Sequence, residues 1–228
     1  MAYSYGPSIV KDGLVLALDA ANRKSYSGTG TTWFDLSGNG TNASLENGTA
    51  YNSGNGGNML LDGANDQLSL SNNARLGGSI TNFVTISSWF KFNALPVSGE
   101  VAIIRLDNQW QLGFVAGAVI RCLVKTTGGT DGWTAANDTS YPFSLNTWYN
   151  MTMVYNGSNL LIYVNSVLVK TATVTGTIAY TSGGFVFMGR WTENMNGNIA
   201  NCQIYNRPLS AANVLQNYTA TKGRYGLA

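Results

Sequence analysis

The chain has 228 residues, long for one domain yet within the range that β-sandwiches and barrels reach around a single core. Hydrophobic residues make up 44% but charged ones only 11%, so solubility rests on Ser, Thr, Asn and Gly, and a core of this size needs neither metal nor disulfide to hold it. Thirteen basic residues scattered among eleven acidic ones leave a net charge of +2 and no basic stripe, which argues against nucleic acid as a partner.

Short apolar runs rich in Val, Ile, Thr, Phe and Tyr, separated by clusters of Gly, Asn and Ser, predict strands. In chain order they fall at 14–19, 59–61, 67–70, 83–92, 101–106, 109–115, 119–125, 148–155, 160–165, 167–173, 185–189 and 199–205. Residues 1–10 lack the basic region and apolar core of a secretory signal, and no run approaches the roughly 18 apolar residues of a membrane span, so no membrane insertion is expected. Synthesis in the cytoplasm follows, with any action outside the cell reached by another route, such as release with a virus particle or removal of a leader. In 83–92 the series Val84, Ile86, Ser88, Phe90 predicts a core face and Thr85, Ser87, Trp89, Lys91 a polar one, with Trp89 the exception. Both faces of 160–165 are apolar, which predicts a central strand. Asn156-Gly157-Ser158-Asn159 and Asn165-Ser166 mark hairpin turns that pair the three strands from 148 to 173 in sequence. Ser210 caps one predicted helix, 211–218, whose stripe is Val214, Leu215 and Tyr218. The remainder, 219–228, reads as a basic, aromatic tail, either frayed or docked on a partner subunit. No linker or repeat divides the chain, so one domain, 1–228, is expected.

The chain contains no histidine, which removes the usual general base and the Ser-His-Asp arrangement. Glu46, Glu100 and Glu193 stand far apart, and no strand carries two acids on one face, so the paired carboxylates of a glycosidase are missing as well. Catalytic residues are therefore expected to be none. Asp62-Gly63-Ala64-Asn65-Asp66 has two readings: an Asx-type turn joining two strands, or a hard-cation site for Ca²⁺ with Asp62 and Asp66 as ligands. Cys122 and Cys202 each lie in a strand-like run and read either as buried thiols or as one bridge. Trp33, Trp133 and Trp191 sit in polar segments, where a flat ring stacks on the C–H face of a sugar or folds back onto the sandwich. Asn137 and Asp138 lie near Trp133 and supply hydrogen-bonding groups for the same ligand.

Nine short motifs occur in order along nearly the whole chain: Asp12-Gly13-Leu14-Val15-Leu16, Trp33-Phe34-Asp35-Leu36-Ser37-Gly38-Asn39-Gly40, Leu61-Asp62-Gly63 before Asp66, Ile86-Ser87-Ser88-Trp89-Phe90, Asn146-Thr147-Trp148-Tyr149, Tyr155-Asn156-Gly157, Ile162-Tyr163-Val164-Asn165, Met188-Gly189-Arg190, and Gly197-Asn198-Ile199-Ala200 running into Ile204-Tyr205-Asn206-Arg207-Pro208-Leu209-Ser210. Together they resemble the concanavalin A-like, laminin G-type jelly-roll family. The opening, the Trp33–Gly40 segment and the ending from Asn217-Tyr218 to Lys222-Gly223-Arg224-Tyr225-Gly226 are most similar to the branch found in structural proteins of tailed marine and cyanobacterial bacteriophages. The resemblance implies an all-β fold of two antiparallel sheets, calcium at loop edges in many members, and roles in glycan binding, adhesion and virion surfaces. Two departures stand out. Asn165-Ser166 replaces the family's Asn-Gly, so another turn type is expected there, and Ala200-Asn201 replaces a common acidic residue, which weakens any calcium site that uses it.

The leading expectation is a non-enzymatic virion protein, a capsid decoration or a tail or fibre component, located on the particle. Its expected partners are other virion proteins and host-surface glycans, and a trimer would suit either position by symmetry. The alternative is a free carbohydrate-binding adhesion module. No cofactor beyond that Ca²⁺ is expected.

Overall fold

The computed structural model describes residues 8–71, 76, 78–127, 134–179 and 185–227, of which 134–138 are described by their backbone. Among these residues the strands are β1 (Leu14–Asp19), β2 (Thr32–Trp33), β3 (Ala43–Glu46), β4 (Ala50–Asn52), β5 (Asn58–Asp62), β6 (Gln67–Leu70), β7 (Val84–Phe92), β8 (Glu100–Leu106), β9 (Trp110–Val115), β10 (Val119–Val124), β11 (Thr134–Thr139), β12 (Trp148–Tyr155), β13 (Asn159–Val164), β14 (Val167–Thr173), β15 (Val186–Met188) and β16 (Asn196–Tyr205). They form two antiparallel sheets. The first runs β14-β13-β12-β7-β16-β5-β4, with β1 also on β16, and the second runs β11-β10-β9-β8-β15-β6-β3-β2. This is the two-sheet jelly-roll sandwich expected, with an α-helix, α1 (Ala211–Thr221), near the C-terminus.

The sheets face each other across a core that includes Leu16, Leu61, Ile86, Phe90, Leu112, Phe114, Met153 and Ile204, all completely buried. Phe114 packs against both Phe92 and Phe90, at ring-centroid distances of 4.9 and 5.1 Å. Cys122 and Cys202 are buried free thiols, and burial raises the Cys122 thiol to about 12.

Strands β2, β3, β4 and β11 carry no clear signal in the sequence. Ala43-Ser44-Leu45-Glu46 and Thr134-Ala135-Ala136-Asn137-Asp138-Thr139 contain residues that strands usually disfavour, and they become strands because β6 and β10 offer them a ladder. β13 is not central, since it lies between β12 and the edge strand β14.

The outer face of the first sheet differs most from expectation. Thr85, Ser87 and Trp89, expected on a polar side, are all buried: Thr85 meets Arg207 and Leu209, Ser87 bonds Asn150 and Thr152 of β12, and Trp89 lies beneath the C-terminal segment. The buried stripe of α1 runs through Val214, Asn217 and Thr221, leaving Leu215 52% exposed. Residues 219–227 are not a frayed tail. The helix continues to Thr221, and a 3-10 turn, Lys222–Tyr225, lays Tyr225 against Trp89 at 4.1 Å and Trp148 at 4.9 Å. Tyr218 stacks on Trp89 at 5.5 Å, and the Trp89 indole N–H donates to Thr221 Oγ1 at 2.8 Å. Arg224 closes the clamp with a bidentate pair to Asp19, both contacts at 2.7 Å.

The turn between β13 and β14 keeps the hairpin geometry that Asn-Gly would give. Asn165 and Ser166 both hold positive φ, 49° and 66°, so the non-glycine residue bears the strain instead of changing the turn type. Ser166→Gly is therefore expected to stabilise the protein by about 0.5–1 kcal/mol in urea unfolding, the relief of left-handed strain exceeding the entropy lost at glycine. An unchanged or lowered midpoint would refute that account.

Candidate functional site

The C-terminal segment covers Trp89 at the middle of the first sheet, and the second sheet carries a polar row on its outer side in which Arg105 and Gln111 are buried. Its register sets Ser44, Ser69, Phe187, Arg105 and Gln111 in one cross-strand row on β3, β6, β15, β8 and β9. The alternate residues Leu68, Val186, Met188, Leu106, Trp110 and Leu112 point into the core, as the period of two requires.

Above this row stands the loop from β15 to β16, which carries Arg190 and Trp191. Gly189 begins it at φ 79°, and a Cβ there would lie 2.6 Å from Leu61 Cδ2, so the close approach of loop to core requires glycine. The loop is stapled on both sides. Thr192 and Glu193 donate their backbone N–H groups to Glu100 O at 3.1 and 3.0 Å, and Asn194 Nδ2 donates to Ala64 O at 2.6 Å.

Gln67, Phe187, Arg190 and Trp191 line a cleft of about 360 Å³. The Trp191 ring lies on the Arg105 guanidinium, 3.8 Å from its carbon to the ring centroid. Arg105 is itself held by Gln111 Oε1 at 2.7 Å and Asp107 Oδ1 at 3.0 Å. Phe185, 64% exposed, stacks beside Phe187 at 5.8 Å and extends the aromatic strip. Glu46 accepts from Gln67 Nε2 and Ser69 Oγ, and Gln67 Oε1 accepts from Arg190 Nη1 at 3.1 Å. Aromatic faces beside oriented amide and guanidinium groups make a surface of the kind that suits a flat, hydroxyl-rich ligand.

A larger cavity, about 510 Å³, opens on the other sheet beside Leu14, Leu36, Gln203 and the Asp19–Arg224 pair. Lys11 also lines it but no aromatic ring does, so the smaller cleft is the better candidate for a ligand that stacks.

Of the residues selected from sequence, Trp191 is in the cleft. Trp33 is fully buried, pairing through β2 with β3, and is a core residue rather than a ligand contact. The run of polar neighbours around it hid its burial. Trp133 lies outside the described residues, and Asn137 and Asp138 are in edge strand β11. Phe187, Arg190, Gln67 and Arg105 were missed. Their signal was the alternation Phe185, Phe187 against Val186, Met188, which exposes aromatics on the solvent face.

Asp62 and Asp66 share one turn and accept from different backbone N–H groups. Asp66 is buried and its Oδ2 accepts from Asp62 N at 3.0 Å, while exposed Asp62 accepts from Ala64 N at 2.7 Å through Oδ1. Asp66 Oδ1 is buried without a hydrogen-bond partner, and no group of three His, Cys, Asp or Glu side chains converges among the described residues.

The chain matches the concanavalin A-like lectin/glucanases superfamily over residues 61–215. It belongs to that superfamily. Several solved structures share the fold at low identity. The binding domain of Paraclostridial Mosquitocidal Protein 1 is 19% identical with a TM-score of 0.71, covering 91% of this chain and 52% of its own. The binding domain of Botulinum Neurotoxin DC, solved in complex with SialylT, is 18% identical with a TM-score of 0.73, covering 93% and 52%. Domain 4 of AbnA, a GH43 extracellular arabinanase from Geobacillus stearothermophilus solved with arabinotriose, is 16% identical with a TM-score of 0.69, covering 90% and 98%. The chain thus spans about half the length of the toxin binding domains and nearly all of the arabinanase domain. No curated protein sequence matches it.

Desolvation raises the Asp66 carboxyl above its ordinary value, with the Asp62 charge adding to the rise and the Asp62 backbone hydrogen bond opposing it. A carboxyl raised on folding favours the native state while protonated, and that contribution is lost as pH climbs from about 4, the ordinary aspartate value, through the raised folded pKa. Asp66→Asn keeps an acceptor for Asp62 N and removes the charge. Its melting temperature is expected to fall less between about pH 4 and pH 7 than that of the unsubstituted protein. Identical pH profiles would show that Asp66 does not titrate this way.

Proposed function

We propose that this chain is a non-enzymatic glycan-binding module that serves as a virion structural protein of a tailed bacteriophage, a capsid decoration or a tail or fibre component. The observation that carries the binding half is the cleft at Trp191 above the second sheet, with rings and oriented polar groups side by side. Domain 4 of AbnA, of nearly the same length, is solved with arabinotriose, which supports a sugar as the ligand class for such a sandwich. The virion half rests on the sequence motifs at 12–16, 33–40 and 217–226, which resemble those of tailed-phage structural proteins.

A binding rather than catalytic role is supported by the chemistry of the acids. The chain has no histidine, and its three glutamates are each occupied by a different set of donors: Glu46 by Gln67 and Ser69, Glu100 by Arg121 and Gln111, Glu193 by the backbone of Val97 and Ser98. The acid and base pair that glycoside cleavage needs has no counterpart in the cleft.

On a glycan array the purified chain is expected to bind, and Trp191→Ala to weaken its best ligand by about 1 kcal/mol or more, roughly fivefold. Retained affinity in that variant would move the site elsewhere on the sandwich. Mass spectrometry and electron microscopy of purified particles are expected to find the polypeptide on the capsid or tail. Its absence from the particle would leave the free adhesion module as the reading.

A further inference from the structure

Arg190 is fixed in place more firmly than an exposed arginine ordinarily is. Its backbone pairs with Asn194 across the loop, and the loop is anchored to Glu100 and Ala64. Its side chain is held by Gln67 Oε1 at 3.1 Å. That amide is oriented in turn by Glu46, which takes the Gln67 N–H at its other end, so the Ser69–Glu46–Gln67–Arg190 chain sets the direction of the guanidinium.

Both neighbouring carboxylates are already engaged. Glu46 accepts from Gln67 and Ser69, and Glu193 accepts from Val97 N at 3.1 Å and Ser98 N at 2.9 Å. Arg105, Arg121, Arg207 and Arg224 each have an acidic partner, whereas Arg190 has no ion pair among the described residues. Most of its planar donor fork therefore remains open, at the wall of the cleft that also holds Phe187 and Trp191. The Arg105 guanidinium, paired with Asp107, supports the Trp191 ring from beneath. An arginine fork makes its strongest hydrogen bonds, and its most geometrically selective ones, with a carboxylate or a sulfate.

We infer that the cleft selects anionic glycans, with the acidic group of one sugar on Arg190 and the face of a pyranose ring against Trp191 and Phe187. This rests on the glycan-binding reading above and adds the ligand's charge to it. Carboxylate and sulfate are equivalent chemistry for the fork, and the source of the charge is resolved by the choice of probe.

The test is calorimetric titration of the full chain with three probes of equal length: an oligogalacturonate, a sulfated galactan oligosaccharide and a neutral galactan oligosaccharide. At least one anionic probe is expected to bind about tenfold or more tightly than the neutral one, with the preference shrinking as salt rises from about 50 to 500 mM. Binding of the uronate alone assigns a carboxylate, and binding of the sulfated probe alone a sulfate. Arg190→Gln is expected to bring the anionic-to-neutral ratio close to one at an unchanged melting temperature, while Trp191→Ala weakens all probes alike. Equal affinity for neutral and anionic probes, or a preference that survives Arg190→Gln, overturns the inference and leaves the glycan site standing. Failure of all three probes to bind overturns both.

Discussion

Trp89 points out of the sandwich, and the rest of the architecture accommodates that fact. An indole on the solvent side of a strand at the middle of a sheet must be covered, and the C-terminal segment covers it with Tyr218, Tyr225 and the Thr221 hydroxyl oxygen, which accepts the indole N–H. Each aromatic contact of this kind adds about 0.5–1.5 kcal/mol beyond the area it buries. The Arg224–Asp19 pair fastens the end of the segment to β1, so the last residues of the chain complete the first sheet's outer layer. The cleft at Trp191 lies on the other sheet, where Arg105 supports the ring.

On that second face the pleat converts a chain with few charges into a localised chemical surface. Residues distant in sequence, Ser69 on β6, Phe187 on β15 and Arg105 on β8, become neighbours because antiparallel register places them opposite one another. The short loop after β15 then adds Trp191 on top of Arg105. The geometry is held by hydrogen bonds rather than by a disulfide, in keeping with two cysteines that remain buried thiols on different strands.

The motifs that tie this chain to its superfamily are mostly concerned with building the sandwich. In Trp33-Phe34-Asp35-Leu36-Ser37-Gly38-Asn39-Gly40, Trp33 is core, while Asp35 accepts from Ala17 N at 2.9 Å, Ser37 N at 2.8 Å and Thr41 N at 3.2 Å, tying the loop to β1. Asp62 and Asp66 likewise close the turn from β5 to β6. Family resemblance therefore reports the fold more directly than the ligand, because close loop packing constrains residue types more strictly than a solvated binding face does.

Period-two alternation, turn residues and the Ser210 cap determined the strands from 14–19 to 199–205, the two-sheet class and the helix start, since each of these is set by local chemistry. The absence of histidine and of acids on shared strand faces likewise limits the chemistry from the sequence alone. Tertiary structure alone decided the remainder. Strands β2, β3 and β11 exist because a neighbour's open edge satisfies their backbone, and Trp33 and the outer side of β7 are buried because distant segments fold over them. The cleft is assembled from β6, β15 and the following loop, residues separated by more than a hundred positions, and their meeting depends on strand order that no local pattern encodes.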